Sequence, residues 1–213
     1  MDIIFKNIVP IPLASIKHHT ESIWGKEFIL KNGSKVLLNA SSGKGKSTFS
    51  SILFGIRNDY NGELLFDELN CKELTNNEWS DLRRNKLSIV FQDLQLFPSL
   101  TVEENLLIKN DLNKLFSAEE IKEMIFRLGI GDKWNQKCSL LSMGQQQRVA
   151  IVRSLLQPFE WLFLDEPFSH LDKENTSICL KLINERCNQL NAGFILTSLG
   201  SNHEFEYDQE IKL

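Results

Sequence analysis

Residues 35–55 read KVLLNASSGKGKSTFSSILFG. KVLLN, Lys35 to Asn39, is a short apolar run of the kind that forms a buried strand. A loop of small residues follows. KSTFSSILFG then carries Phe49, Ile52 and Leu53 at helical spacing, with Gly55 as a stop. In a strand–loop–helix of this kind, backbone N–H groups turn inward around a phosphate and the helix N-terminus adds partial positive charge. The expected nucleotide-binding loop is Ala40, Ser41, Ser42, Gly43, Lys44, Gly45, Lys46, Ser47 and Thr48. Gly43 and Gly45 allow the tight bends and close approach. Lys46 is placed to reach the β- and γ-phosphates, and the Ser47 hydroxyl to bind Mg²⁺. Ala40 stands where such a loop opens with glycine; its methyl group is tolerated if its φ is negative.

Outward from the loop, the elements alternate. GELLFD (62–67) reads as a strand after an Asn-Gly turn. Helical patterns cover 102–108, 118–128 and 143–156, the second ended by Gly129 and the third with Ser142 as N-cap. WLFLDEP (161–167) begins as an apolar run buried on both faces. Residues 172–190 read as helix and GFILTS (193–198) as another buried strand. The predicted fold is an α/β P-loop core with a mostly parallel sheet, and the helical stretch reads as an insertion because the sheet pattern resumes after it. WLFLDEP delivers Asp165 and Glu166 to the C-terminal edge of a strand, where ligands bind in open α/β sheets. Asp165 suits a Mg²⁺ ligand and Glu166 the base that polarises an attacking water.

The bulk numbers are those of a globular protein: 213 residues, 42% hydrophobic, 24% charged. A net charge of −4 argues against a nucleic-acid binder that works by bulk charge. The cysteines, Cys71, Cys138, Cys179 and Cys187, form no CxxC pair, which disfavours zinc or redox chemistry and suits a reducing compartment. No signal-peptide pattern and no run of about 18 apolar residues is seen, so any membrane role is expected to come through a partner.

LSMGQQQRVAIVRSLL (141–156) resembles the signature motif and basic helix of the ATP-binding cassette (ABC) family, with Asp165 standing 20 residues beyond Gln145. The likeness extends to the phosphate loop, Gln92 in SIVFQDLQLFP, the WLFLDEP strand and the SHLD turn ending at Asp172. QDLQLFPSLTVEENL is similar to the lipoprotein-release, macrolide-export and cell-division branch. The resemblance implies an antiparallel β-subdomain beside the parallel core. It implies one nucleotide-binding domain over 1–213, with a helical subdomain at about 93–156. It implies a head-to-tail homodimer, or a pseudo-dimer with a related cassette, around two ATPs. In it Leu141, Ser142, Met143, Gly144 and Gln145 face the γ-phosphate held by the other subunit. Gln92 would contact Mg²⁺ and sense the γ-phosphate, and Asp172 belongs to the turn that follows the base. A separate transmembrane permease would be the partner, with the chain cytoplasmic and peripheral on the membrane's inner face and no nucleic acid involved. Leu94, Leu96, Phe97 and Leu100 would either line the groove for that partner's cytoplasmic helix or be buried among the helices.

Three positions depart from the family pattern. Ala40 is the first. Met143 replaces a signature glycine, so its side chain must point away from the partner's phosphate. Ser198 stands where the family has a histidine that touches the γ-phosphate, and a hydroxyl is shorter and never cationic. His203 lies five residues further on. The aromatic residue that stacks on adenine stays open among His18, His19 and Phe5, with Trp24 too near the loop. Three functions follow from the resemblance: an ATP hydrolase driving transport or extraction, a mechanical regulator of a membrane partner, or a binding-dominated cassette with slow turnover through Ser198. Chromosome-handling relatives carry a long coiled-coil insertion before the signature, which this sequence lacks, and translation-type relatives carry two cassettes.

Overall fold

A computed structural model describes residues 1–15, 21–41 and 43–213. Strands β1 (Ile3–Pro10), β2 (Glu27–Leu30) and β3 (Lys35–Asn39) precede helix α1 (Lys46–Leu53). Next come β4 (Tyr60–Phe66), β5 (Leu69–Asn70), α2 (Asn76–Asn85) and β6 (Leu87–Val90). Helices α3 (Val102–Asn110), α4 (Ala118–Arg127) and α5 (Met143–Leu155) fill the middle of the chain. β7 (Trp161–Asp165), α6 (Lys173–Leu190), β8 (Gly193–Ser198) and β9 (Gln209–Lys212) close it.

Two sheets result. One is antiparallel, in the order β2-β1-β4-β5; the other is parallel, in the order β6-β7-β8-β3-β9. The central strands β3, β7 and β8 are apolar at successive positions because their two faces feed two cores. Trp161 and Phe163 join Phe5, Phe49 and Phe66 between the sheets. Leu162 and Leu164 join Val149, Ile151 and Ile183 under the helices. Every residue of β7 and β8 is buried. That is why these runs read as continuous rather than alternating.

The helix ends follow from local chemistry. Thr101, Ser117 and Ser142 each cap a helix and exchange hydrogen bonds with Glu104, Glu120 and Gln145 in reciprocal capping boxes. Asp172 caps α6 through the Asn175 N–H at 2.8 Å. Gly55 and Gly129 both take φ 69° just past helix ends.

One local expectation is corrected. Asn61-Gly62 is not a turn before the strand: it lies inside β4, which starts at Tyr60. The pairing of β1 with β4 shifts register between Lys6 and Val9, opposite this dipeptide. Gly62 takes φ 86°, and a methyl group there would lie 2.4 Å from the carbonyl oxygens of both Lys6 and Asn7. The Asn-Gly signal marks a bulge, which only pairing with the distant β1 defines. Gly62→Ala is therefore expected to destabilise the chain by about 2 kcal/mol or more, measured by denaturant unfolding.

The register of the parallel sheet aligns the functional loops. Asn39 pairs with Ser198, Asp165 with Thr197, and Val90 with Leu164. The phosphate loop, Asp165–Glu166, Thr197–Ser198 and Phe91–Gln92 thus leave one carboxyl edge side by side.

Candidate functional site

The loop between β3 and α1 places its positive φ angles on Gly43 (78°) and Gly45 (98°); Ala40 is not among the left-handed residues. Gly45 also packs closely: a methyl group there would lie 2.7 Å from Leu13. Ala40 lies where β3 meets β8, its N–H donating to the Ser198 carbonyl at 3.3 Å. Ser42 lies outside the described residues.

Lys46, the first residue of α1, is only 6% exposed. Its Nζ donates to the carbonyls of Ala40 at 3.0 Å and Ser41 at 3.3 Å, and stands 3.1 Å from Glu166 Oε1. The ammonium is thus held at the centre of the loop, beside the carboxylate at the end of β7. Ser47 Oγ donates to Gln92 Oε1 at 3.3 Å. Ser47, Gln92 and Asp165 line one cleft of about 530 Å³. Thr197 joins the two acids: its hydroxyl donates to Asp165 Oδ1 at 2.9 Å and accepts the Glu166 N–H at 2.9 Å. Glu166 takes φ 49°, a left-handed conformation uncommon for a side chain of its size and of the kind found at functional sites.

Burial pushes the Asp165 carboxyl above its ordinary range. The hydrogen bond from Thr197 and the nearby Ser47 hydroxyl offset part of that rise, and the neighbouring Glu166 adds to it. A cation beside Asp165 would oppose both the burial and the repulsion. The donors around it, a carboxylate, a hydroxyl and an amide oxygen, are the hard oxygens Mg²⁺ takes. Among the described residues no group of three or more His, Cys, Asp or Glu is placed to hold a metal. The set fits Mg²⁺ as a partner of substrate phosphates rather than an ion in a protein cage.

The segment 141–145 sits apart from this loop, at the N-terminus of α5. Leu141 is buried, Ser142 and Met143 are exposed, and Met143 keeps 46% of its surface. Ser142 Oγ accepts the Gln145 N–H while Gln145 Oε1 accepts the Ser142 N–H. Gly144 has an intrachain reason to be glycine: a methyl group there would lie 2.7 Å from the His170 carbonyl oxygen. Gln147 fastens the same junction, donating to Ser169 Oγ at 2.8 Å and accepting the His170 N–H at 3.1 Å. The 141–145 surface and the SHLD turn leading to Asp172 are thus one packed unit.

The segment after Gln92 is strained and clamped. Leu94 and Gln95 take φ 61° and 50°. Arg153 of α5 donates to both their carbonyls at 2.7 Å. Arg153→Met removes two charge-assisted bonds and is expected to lower stability by about 2 kcal/mol, read as the midpoint of thermal or urea unfolding. Of the four apolar residues after Gln92, Leu94 is buried and Phe97 is half exposed in a groove with Ile108, Lys109 and Leu112.

Ser198 is 4% exposed, and its hydroxyl accepts the Ser201 N–H at 3.0 Å. Phe5 is buried, stacked on Phe28 at 4.2 Å and Phe49 at 5.6 Å, so it is a core residue and no base-stacking surface. Trp24 is buried beneath Gly45, and its indole Nε1 has no hydrogen-bond partner among the described residues. His18 and His19 lie outside the described residues. Sequence reading missed Thr197, Gln147 and Arg153. For Thr197 there was a signal, a polar residue within an apolar strand; for the other two there was none, since their partners are 22 to 59 residues away.

A glycine loop on a parallel α/β sheet, with a buried lysine, a hydroxyl, an amide and two acids around it, defines a phosphate-loop nucleotide-binding protein. The family model described as ABC transporter matches residues 25–169, and the chain belongs to that family. It is 37% identical over 156 residues to an uncharacterized ABC transporter ATP-binding protein of Mycobacterium tuberculosis, covering 72% of this chain and 47% of that protein. It is 35% identical over 172 residues to the lipoprotein-releasing system ATP-binding protein LolD of Buchnera aphidicola subsp. Schizaphis graminum, covering 79% of this chain and 75% of LolD. The chain thus spans about half the length of the first relative and three quarters of the second. The dimeric structure of the bacterial ABC transporter cassette MJ0796 superposes with a TM-score of 0.81 at 25% identity, over 99% of this chain and 94% of that one.

Proposed function

We propose that this chain is an ATP hydrolase that dimerises around ATP and drives a separate membrane-spanning partner. The observation that carries the reading is the meeting of Lys46, Ser47, Gln92, Asp165 and Glu166 at one sheet edge. Backbone N–H groups of residues 40–48 bind the phosphates, and Lys46 turns from Glu166 to the β- and γ-phosphate oxygens. Asp165, Ser47 and Gln92 would hold Mg²⁺, which when bound would supply charge neutralisation at the phosphate oxygens. Glu166, freed from Lys46, accepts a hydrogen bond from the attacking water and directs it at the γ-phosphorus.

The site is completed by a second copy. Ser142, Gly144 and Gln145 present a helix N-terminus to the γ-phosphate on the partner's loop, and the exposure of Ser142 and Met143 supports this. The dimeric form of MJ0796 supports it too. Phosphate release then weakens the contact between the copies. Residues 93–156 act as the helical subdomain that carries 141–145, and the tie between Gln147 and the SHLD turn couples it to Glu166. The groove with Phe97, Ile108 and Leu112 is the docking place for the membrane partner's cytoplasmic segment, which puts the chain on the membrane's inner face. The naming of LolD as part of a lipoprotein-releasing system supports transport or extraction as the coupled task. Among the described residues no helix is long and apolar enough to cross a membrane.

A second reading, slow turnover without the partner, is favoured by the hydroxyl of Ser198, which already holds the Ser201 N–H. The test of the main reading is sedimentation of Glu166→Gln with saturating ATP. A dimer that dissociates when ATP is removed is expected; a monomer at every ATP concentration would overturn the shared-site reading.

A further inference from the structure

The groove beside Phe97 holds two cations and no acid. It encloses about 290 Å³, its lining includes Phe97, Ile108, Lys109, Leu112 and Arg153, and none of the described residues on that lining is Asp or Glu. This is a local excess of positive charge in a chain whose net charge is −4.

Neither cation is neutralised within the chain. Lys109 meets no carboxylate among the described residues: burial lowers its pKa, and repulsion from the Arg153 guanidinium lowers it further. Arg153 donates to the carbonyls of Leu94 and Gln95, which are neutral acceptors. Burial lowers its pKa as well, and no carboxylate opposes that shift. Two like charges withdrawn from water are unfavourable until an anion meets them.

The walls around these cations are already fixed. Asn105, fully buried, accepts the Phe97 N–H at 2.8 Å and donates to the Phe97 carbonyl at 3.0 Å. Arg84 donates to the Leu112 carbonyl at 2.7 Å. The hydroxyls on the lining are spent inside the chain: Ser88 donates to the Ser154 carbonyl at 2.6 Å, and Ser154 to the Ile151 carbonyl at 2.7 Å. Phe97, Ile108 and Leu112 nevertheless keep about half of their surface exposed. Apolar walls held in place around uncompensated charge form a preorganised receptor for an apolar segment that brings an anion.

We propose that the segment docking in this groove carries an Asp or Glu among apolar residues, its carboxylate meeting Lys109 and Arg153 while its apolar neighbours cover Phe97, Ile108 and Leu112. The inference rests on reading the groove as the docking place of a membrane partner, and it adds the chemistry by which that partner is recognised. Apolar contact supplies the area, and the carboxylate fixes the register and rejects segments with a basic residue at that point.

The test is photocrosslinking from p-benzoylphenylalanine placed at Phe97 in the full chain, in cells that make the protein natively, with the cross-linked peptide mapped by mass spectrometry. The expected product is a membrane-protein segment with Asp or Glu within about one helical turn of the attachment point. Its yield should fall about 10-fold in Lys109→Glu and return when the partner's acid is changed to lysine in that background. The reciprocal change separates a lost charge pair from a damaged fold, because a damaged fold would not be rescued. A membrane-protein segment without an acid, a yield unchanged in Lys109→Glu, or a loss that the reciprocal change does not restore would each overturn the acidic partner and leave the docking reading standing. Cross-links to lipid, to soluble proteins or to nothing would overturn the docking reading as well.

Discussion

Glu166→Gln is expected to cut phosphate release by about 1000-fold while ATP still binds. The carboxylate sits at the end of β7 in a left-handed conformation, with its Oε1 3.1 Å from Lys46 Nζ. Glutamine matches it in size and keeps the hydrogen-bonding reach, but it cannot accept a proton or carry the charge that polarises water. In the proposed mechanism binding rests on the loop N–H groups, Lys46 and the Ser47–Gln92–Asp165 cluster, none of which the substitution removes. The variant should therefore accumulate with bound ATP. The measurement is steady-state phosphate release beside equilibrium binding of a fluorescent ATP analogue. A rate within a few-fold of wild type would assign the base to another residue.

Lys46→Met should act at the opposite step and weaken nucleotide binding by about 100-fold, close to 3 kcal/mol. Methionine fills a similar volume along the buried stem, so the effect reads out the charge rather than a cavity. The ammonium of Lys46 is buried among three oxygen acceptors in the chain itself. Its loss leaves phosphate charge uncompensated at the centre of the loop, and leaves Glu166 without its cation. Titration with the same analogue measures the loss, and unchanged thermal unfolding without nucleotide separates binding from folding. Affinity equal to wild type would show that the loop N–H groups suffice.

The two variants divide the site by step: one is expected to bind without turning over, the other to fail to bind. The clamp variant Arg153→Met and the bulge variant Gly62→Ala test the scaffold instead, and their readout is stability.

Much of this site was legible along the chain because its parts are local. GKGKST lies between an apolar strand and an amphipathic helix, and those neighbours alone dictate a loop with its N–H groups turned inward. WLFLD is apolar at every position but the last, which marks a strand buried on both faces with its acid at the edge. Ser142 and Asp172 announce helix starts through side chains that reach only three residues ahead. The fold class followed from the alternation of such units.

Other features depended on partners that sequence spacing does not reveal. Asn61-Gly62 carries the local signal of a turn, yet β1 pairs across it and makes it a bulge. Phe5 was a candidate to stack on adenine, and only packing against Phe28 and Phe49 assigns it to the core. Gly144 reads as a residue spared for a partner's phosphate, but the His170 carbonyl already requires it within one chain.

The sequence by itself determined the loop, the acids and the strands that carry them, because capping, burial and glycine conformation act over a few neighbouring residues. Tertiary structure alone decided which of those pieces meet. The strand order β6-β7-β8-β3-β9 brings Gln92, Glu166, Thr197 and Lys46 to one edge from four separate parts of the chain. The same order sets the turns after β7 and β8 side by side, so that Glu166 and His203 line one cavity. Such contacts arise from register between distant strands, a property of the assembled sheet that no single stretch of the chain contains.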